Sequence, residues 1–154
     1  ILDIGTGYGE TSIFLAKQFP DKVVISCEKY IDGNIILLKN IQKNNINNIQ
    51  LHNGNVYDVL EKANKKDKNN PDILNYMGFT SRKSGNFNEA EKFYLKGLSL
   101  NPKHNGINEY LGELYVQTNR IEKAKERLAV LKNCNCKEFQ ELELIIKTRG
   151  SKIY

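Results

Sequence analysis

Short apolar runs separated by amphipathic stretches fill the first 60 residues of the chain. Residues 2–4, 23–27 and 48–52 are typical of strands, because β-branched and other apolar side chains dominate or alternate within them. Residues 10–19 and 31–43 show helical spacing instead. The apolar residues that this spacing predicts on the buried helix faces are Ile13, Phe14, Ala16 and Phe19, then Ile31, Ile35, Leu38 and Ile41. Strand, helix, strand, helix and strand in this order predict a parallel sheet with crossover helices.

A 34-residue repeat replaces this alternation from about residue 61 onward. Gly78 and Gly112 are 34 residues apart, and the same spacing separates Ala90 from Ala124. This period is typical of solenoids built from helix–turn–helix units. Small residues at these positions would let the two helices of a unit approach closely. The second part of the chain is therefore predicted to be all-helical.

The repeats resemble those of tetratricopeptide repeat (TPR) proteins, in units at residues 71–104 and 105–138. The positions that carry the resemblance are Leu74, Met77, Gly78, Ala90, Tyr94, Gly97 and Pro102, then Leu111, Gly112, Tyr115, Ala124 and Leu128. A partial preceding unit ends near residue 70, and residues 137–148 supply a capping helix. The resemblance implies a solenoid of helical hairpins over residues 62–149.

The resemblance to TPR proteins also implies a protein or peptide partner, bound on the concave face by the first helix of each unit. The contact residues predicted on this face are Asn75, Phe79, Arg82, Lys83, Glu109 and Glu113, with Val116 and Gln117 beside them. TPR units that bind chaperone tails carry lysine and asparagine at the matching positions of the first unit. Asn75 and Phe79 do not fit that pattern, so we exclude this partner class, and the partner's identity is left open.

A glycine-rich turn follows the first strand, in the stretch LDIGTGYGE. Asp3, Gly5, Gly7 and Gly9 lie at every second position of this stretch. Glycine lets the backbone pass close to a ligand, and the helix that starts near Gly9 would direct free N–H groups at it. A strand, a glycine turn and a helix form the nucleotide sites of open α/β sheets, although such turns also occur as plain connections.

Two polar residues follow the next two strands. Glu28 ends the second strand, where its carboxylate could accept hydrogen bonds from both hydroxyls of a ribose. Asn55 follows the third strand and could contact the edge of an adenine. The alternatives are a solvated charge at a strand end for Glu28 and a helix cap for Asn55.

These motifs resemble the first half of class I S-adenosylmethionine methyltransferases. LDIGTGYGE, the Phe-Pro-Asp turn, YIDGN and NNIQLHNGNVYDVLE are together similar to the tRNA (guanine-N7)-methyltransferase family, over residues 1–61. The resemblance implies a truncated Rossmann-like segment with a three-strand parallel sheet. It also implies that S-adenosylmethionine would contact Asp3, Gly5, Gly7, Gly9, Glu28 and Asn55.

The half of such an enzyme that presents the substrate is absent from this sequence. Family members carry a Pro-Asp-Pro-Trp segment after their fourth strand, whereas this chain has no Trp and continues into the TPR helices. Without a pocket for the methyl acceptor, proximity and orientation cannot be supplied. We therefore assign no catalytic residue and expect the incomplete site to bind the cofactor weakly or not at all.

Three functions from different classes remain as hypotheses. The favoured one is a TPR interaction module joined to a methyltransferase remnant. One origin of such a chain is an artificial join of two reading frames. The second is a tRNA guanine-N7 methyltransferase, or a fragment of one, that acts alone or after pairing with a missing half. The third is a binding protein that senses the cofactor. The chain begins inside a strand without Met, so we expect a fragment.

Composition narrows the partners only slightly. The net charge is +5, from 23 Lys and Arg against 18 Asp and Glu, which permits a nucleic-acid partner but is also typical of a solvated lysine-rich surface. A tRNA partner is expected only if the methyltransferase is completed. No apolar run approaches the roughly 20 residues that span a bilayer, so no membrane partner is expected.

The three cysteines predict no disulfide framework and no metal site. Cys134 and Cys136 are two residues apart, which is too close for an easy bridge, and no histidine lies nearby to complete a zinc site. This usage favours a reducing, cytoplasmic compartment.

Overall fold

The computed structural model describes residues 1–150, and within them the chain forms three strands and eight helices. These elements group into two compact units, Ile1–Lys62 and a second unit that begins at Ala63. All three strands lie in the first unit, and the second is helical. The predicted combination of an α/β part followed by an all-α part is confirmed.

The first unit contains a parallel sheet with its strands in the order β1-β2-β3. Its elements are β1 (Leu2–Ile4), α1 (Glu10–Gln18), β2 (Val24–Glu28), α2 (Ile31–Lys43), β3 (Ile49–Asn53) and the first part of α3 (Val56–Lys66). Asp3 pairs with Ser26, and Ser26 pairs with Leu51. Because the strands are parallel, their carboxyl ends meet at one edge of the sheet, where ligands of such folds bind.

Helix α1 buries only part of the apolar stripe predicted for it. Ser12 and Ala16 are buried, whereas Phe14 is 61% exposed and Phe19 is exposed as well. The hydroxyl of Ser12 donates a hydrogen bond of 2.6 Å to Asp3 on β1. A small polar side chain therefore forms the contact between this helix and the sheet, which the apolar pattern could not predict.

Helix α2 shows the same difference, because small residues bring it close to the glycine turn. Of the apolar residues predicted on its buried face, those that are exposed are Ile31, Ile35 and Leu38. Its buried face carries Gly33 and Leu37 instead. A Cβ atom added to Gly33 would lie 2.5 Å from the carbonyl oxygen of Gly7, so glycine is required for this approach.

The second unit consists of helical hairpins. Its helices after α3 are α4 (Pro71–Lys83), α5 (Phe87–Leu100), α6 (Asn105–Gln117), α7 (Ile121–Leu131) and α8 (Lys137–Lys147). Helix α4 packs against α5, α6 packs against α7, and α8 packs against both α6 and α7. The fully buried residues at the centre include Ala90, Tyr94, Leu111 and Ala124. The repeat pattern therefore predicted the helices and their pairing correctly.

Helices α4 and α6, the first helices of the two TPR repeats, begin at side-chain caps. Asn70 accepts hydrogen bonds from the backbone N–H groups of Asp72 and Ile73, just before Pro71 in the first turn of α4. His104 accepts a hydrogen bond of 3.2 Å from the N–H of Ile107 at the start of α6. Capping satisfies backbone donors that have no partner inside a helix, so these residues determine where α4 and α6 begin.

The expectation that Cys134 and Cys136 stay unbridged is wrong. The two residues form a disulfide, with their Cα atoms 5.1 Å apart. Asn135 between them has a φ of 48°, and this left-handed turn brings the two side chains to the same side of the chain. Among residues 1–150, Cys27 on β2 is the free cysteine, and it is buried.

Replacing Gly78 by leucine is expected to destabilise the second unit by about 1–3 kcal/mol. A side chain at Gly78 would overlap the ring of Tyr94, which is fully buried and cannot move aside without displacing α5. Thermal melting followed by circular dichroism measures the effect. Lys96→Leu, at an exposed position of α5, is the control and should leave the melting temperature nearly unchanged. Equal melting temperatures for the two variants would contradict this packing.

Candidate functional site

The glycine turn leads from β1 into α1 through three residues with left-handed backbones. Gly5, Gly7 and Gly9 have φ angles of 69°, 53° and 83°, which side chains disfavour. The N–H of Gly5 donates to the carbonyl of Cys27 at 2.9 Å and so extends the pairing of β1 with β2. The N–H of Gly9 donates to the carbonyl of Thr6 at 2.8 Å and closes the turn.

The glycines of this region fall into two groups by what surrounds them. Nothing lies within 4 Å of a Cβ atom added to Gly5 or Gly7. A Cβ atom on Gly9 would overlap the side chain of Leu37, and Gly33 is equally crowded. Gly9 and Gly33 are therefore needed for packing, whereas Gly5 and Gly7 leave open space in which a ligand could approach the backbone.

The carboxylate of Glu28 is bound by the backbone on both of its oxygens. Oε2 accepts a hydrogen bond of 2.9 Å from the N–H of Gly7, and Oε1 accepts one of 2.9 Å from the N–H of Tyr30. The backbone hydrogen bonds, with that of Tyr30 the strongest, hold the pKa of Glu28 below its usual value although burial opposes them. Glu28 is only 7% exposed, and its carboxylate fixes the glycine turn through these two hydrogen bonds.

A cleft of about 520 Å³ lies at the carboxyl ends of the strands. It is lined by Ile4, Gly5, Cys27, Glu28, Lys29, Tyr30, Gly54, Asn55 and Val56. Three of the six predicted cofactor contacts, Gly5, Glu28 and Asn55, thus lie on one cleft. The side-chain oxygen of Asn55 accepts a hydrogen bond of 3.0 Å from the N–H of Tyr57, as a cap of α3 does, which leaves its amide group for a ligand.

The other three predicted contacts do not line this cleft. Asp3 accepts the hydrogen bond from Ser12, whose Oγ also lies 3.0 Å from the Oγ of Ser26, so its carboxylate joins α1 to the sheet. Gly7 donates to Glu28, and Gly9 packs against Leu37. These residues therefore shape the turn around the cleft.

Replacing Glu28 by glutamine is expected to loosen the glycine turn. One amide oxygen cannot accept both backbone hydrogen bonds, and the new NH₂ group would face an N–H donor, at a cost of about 1–3 kcal/mol. Hydrogen exchange should become faster at Gly7 and Tyr30. Glu10→Gln, at an exposed position in the first turn of α1, is the control. Unchanged exchange at Gly7 and Tyr30 in Glu28→Gln would show that these two hydrogen bonds do not fix the turn.

A second cleft, of about 390 Å³, lies in the helical unit. It is lined by Phe79, Arg82 and Lys83 of α4, Glu109, Tyr110 and Glu113 of α6, and Lys137 and Glu141 of α8. Five of the six residues predicted on the concave face therefore line one cleft. The sixth, Asn75, is buried outside this lining, close to Gly106.

Arg82 and Glu113 form a buried ion pair at the base of this cleft, with Nη2 and Oε2 2.5 Å apart. Their side chains are 1% and 5% exposed. Arg82 also donates to the side-chain oxygen of Gln117 at 3.1 Å, and its guanidinium lies 5.7 Å from the ring centres of both Phe79 and Tyr110. Arg82 is therefore held by contacts within the protein.

Glu109 lies among other carboxylates. Burial, a hydrogen bond to Glu141, and the charges of Glu113, Glu141 and Glu138 raise the pKa of Glu109 to about 9. The hydrogen bond from Glu109 and the ammonium of Lys137, 2.7 Å away, lower the pKa of Glu141. Glu109 is thus protonated at neutral pH and donates its proton toward the ionised Glu141.

Sequence reasoning missed Tyr110, Lys137 and Glu141 in this cleft. The two on α8 were missed because residues 137–148 were predicted only as a capping helix, with no contact residue assigned to it. Helix α8 starts 32 residues after α6, whereas α6 starts 34 residues after α4. Helix α7 has 11 residues where α5 has 14, and the following loop is only one residue longer. The shorter helix shifts α8 and brings Glu141 beside Glu109, which the 34-residue period does not predict.

Two family models match different parts of the chain. Residues 1–74 match a family described as "Putative methyltransferase", and residues 81–142 match the tetratricopeptide repeat family. These matches confirm both resemblances seen in the sequence. No solved structure matches the chain.

The curated relatives match about two fifths of the chain. A tRNA (guanine-N(7)-)-methyltransferase from Zymomonas mobilis subsp. mobilis is 43% identical over 60 residues, which are 39% of this chain and 26% of that protein. One from Mycobacterium avium is 42% identical over 62 residues, which are 40% and 24% of the two chains. The chain thus spans about a quarter of the length of these relatives.

Throughout residues 1–150, every helix is too short or too polar to cross a lipid bilayer.

Proposed function

We propose that this chain is a peptide-binding TPR module joined to a methyltransferase-derived segment that does not transfer methyl groups by itself. We place the segment at residues 1–61 and the TPR array at residues 62–149. The main support is the cleft between α4, α6 and α8, because five of the contact residues predicted from the repeat register line it. Such a cleft, with aromatic and charged side chains from successive first helices, suits an extended peptide.

An array of random 12-residue peptides tests the binding function. We expect a subset of peptides to bind the full chain, and Phe79→Ala, which removes an aromatic side chain from the cleft, to weaken these peptides at least about tenfold. Phe87→Ala is the size-matched control at the start of α5, outside the cleft. The proposal fails if no peptide binds, or if both variants bind as the unchanged protein does.

The first unit fits the nucleoside part of S-adenosylmethionine only in part. Gly5 offers an open backbone, Glu28 has further lone pairs on its carboxylate, and the amide of Asn55 could meet an adenine. When bound, the cofactor would supply an electrophilic methyl group. We propose no methyl transfer by this chain alone, because the sequence continues into the TPR helices where family members carry the segment that places the methyl acceptor.

Isothermal titration with S-adenosylmethionine measures how much of the cofactor site remains. We expect binding weaker than about 100 μM. Suppose that the unchanged protein binds S-adenosylmethionine more tightly than this and that Glu28→Gln abolishes the binding. This result would contradict the proposed loss of the site and favour a cofactor-sensing protein.

A tRNA guanine-N7 methyltransferase is the second candidate function. Two observations favour it. The relatives of the first segment are tRNA (guanine-N(7)-)-methyltransferases, and Gly5, Glu28 and Asn55 line the same cleft. Transfer of a labelled methyl group from S-adenosylmethionine to tRNA by the purified chain would establish it and overturn the proposal above.

A further inference from the structure

We infer that the cleft between α4, α6 and α8 receives a basic side chain, lysine or arginine, of a bound peptide, with the cation placed between Glu109 and Glu141. This inference rests on the proposed peptide-binding function and names the chemistry of its partner. It follows from how the charged groups of the cleft are already paired.

Each cationic side chain that lines the cleft already contacts another group of the protein. Arg82 forms the buried ion pair with Glu113, and Lys137 lies 2.7 Å from Glu141. Lys83 lies 5.5 Å from the ring centre of Phe79 and helps to neutralise Glu113. Across residues 1–150, Glu109 has no ion pair, and its charge is suppressed by a proton. Of the three carboxyl groups that line the cleft, Glu109 is therefore the one without an ion pair.

The carboxyl pair is placed where a ligand side chain could reach it. Glu109 and Glu141 come from neighbouring helices, α6 and α8, and both line the open cleft. The rings of Phe79 and Tyr110, with centres 5.2 Å apart, lie on the same cleft and could contact the methylene stem of a lysine or arginine. The site thus combines apolar surface with two carboxyl groups, which is the arrangement that a long cationic side chain requires.

An anionic ligand, such as a peptide C-terminus, fits the cleft less well. A carboxylate would have to compete with Glu113 for Arg82 and with Glu141 for Lys137, and each of these pairs is already in contact. It would also face the further carboxylates that surround Glu109, including Glu138. A basic side chain competes only with Lys137, for Glu141, and on Glu109 it replaces a proton.

Binding of the cation is therefore coupled to pH. The groups that face Glu109 are Arg82 and Lys83 from α4, Glu113 and Tyr110 from α6, and Lys137, Glu138 and Glu141 from α8. A basic ligand binds best when Glu109 is ionised, and at neutral pH it must displace the proton. Affinity should rise by up to about tenfold per pH unit between pH 6 and pH 8, because the pKa of Glu109 is about 9.

The test uses acetylated hexapeptide libraries in which one position is fixed as lysine, norleucine or glutamate, measured against the full chain by fluorescence anisotropy. We expect the lysine libraries to bind at least about tenfold more tightly than the norleucine libraries. In Glu109→Gln this preference should disappear and the pH profile should become flat. Glu122→Gln, an exposed residue of α7, is the control and should retain both effects.

The outcomes separate this inference from the function on which it rests. If no library binds, the peptide-binding function fails and the inference fails with it. If the libraries bind without preference for lysine, or with preference for glutamate, the inference alone is overturned. A lysine preference that survives in Glu109→Gln would place the cation elsewhere and overturn it as well.

Discussion

Replacing Arg82 by alanine is expected to lower the free energy of unfolding of the helical unit by about 3–5 kcal/mol. The change leaves the carboxylate of Glu113 buried without its partner and removes a guanidinium that contacts the rings of Phe79 and Tyr110. An ion pair among buried side chains is costly to break from one side, because the remaining charge has lost its hydration. Urea unfolding followed by circular dichroism at 222 nm measures the loss.

Two further variants separate the ion pair from general packing. Arg82→Leu combined with Glu113→Leu should recover most of the lost stability, because an apolar pair has no charge to desolvate. Lys125→Ala, which removes a partner of the exposed Glu122, should change stability by no more than about 0.5 kcal/mol. A loss below about 1 kcal/mol in Arg82→Ala would contradict a buried, essential pair.

The helical hairpins could be predicted from the sequence because small residues recur where helices approach closely. Gly78 meets Tyr94 on α5 and Gly112 meets Leu142 on α8, so the 34-residue spacing of glycines marks close approaches, although the two glycines do not face equivalent helices. The pairing of Glu109 with Glu141 could not be predicted in this way. It depends on the packing of α8 against α6, and residues 137–148 were predicted only as a capping helix without contact residues.

The cleft at the carboxyl ends of the strands was predicted in outline for a topological reason. Parallel strands end at the same edge, so Gly5, Glu28 and Asn55 had to lie close together once the three strands were assigned. That the N–H groups of Gly7 and Tyr30 bind the carboxylate of Glu28 depends on backbone angles that composition does not determine.

The buried faces of α1 and α2 were predicted only in part, for a chemical reason. Apolar periodicity assumes that large side chains cover the sheet, whereas Ser12 and Gly33 lie at these contacts and large residues such as Phe14 and Ile31 are exposed. Close approach of a helix to the sheet favours small residues, and a hydroxyl that bonds a strand carboxylate adds to this preference. Hydrophobicity alone therefore indicates the elements but not which face of them is buried.

Replacing Glu109 by glutamine is expected to stabilise the helical unit at neutral and alkaline pH. In the unfolded chain the carboxyl of Glu109 ionises near its ordinary pKa, whereas in the folded chain its pKa is raised to about 9. Between these two values the folded state binds more protons than the unfolded state, so its stability falls as pH rises. Glutamine carries no charge at any pH, and its NH₂ group can still donate to Glu141.

The gain should therefore be near zero at pH 4 and on the order of 5 kcal/mol at pH 8, since each pH unit above the ordinary pKa of 4.5 adds about 1.4 kcal/mol. Urea unfolding of both proteins across this range measures it. Glu122→Gln, on the exposed side of α7, should follow the unchanged protein at every pH. A constant difference between Glu109→Gln and the unchanged protein would indicate a change in packing, whereas a difference that grows with pH identifies the buried proton on Glu109. The same proton is the one that a basic peptide side chain would displace, so the stability profile and the peptide affinities must shift over the same pH range.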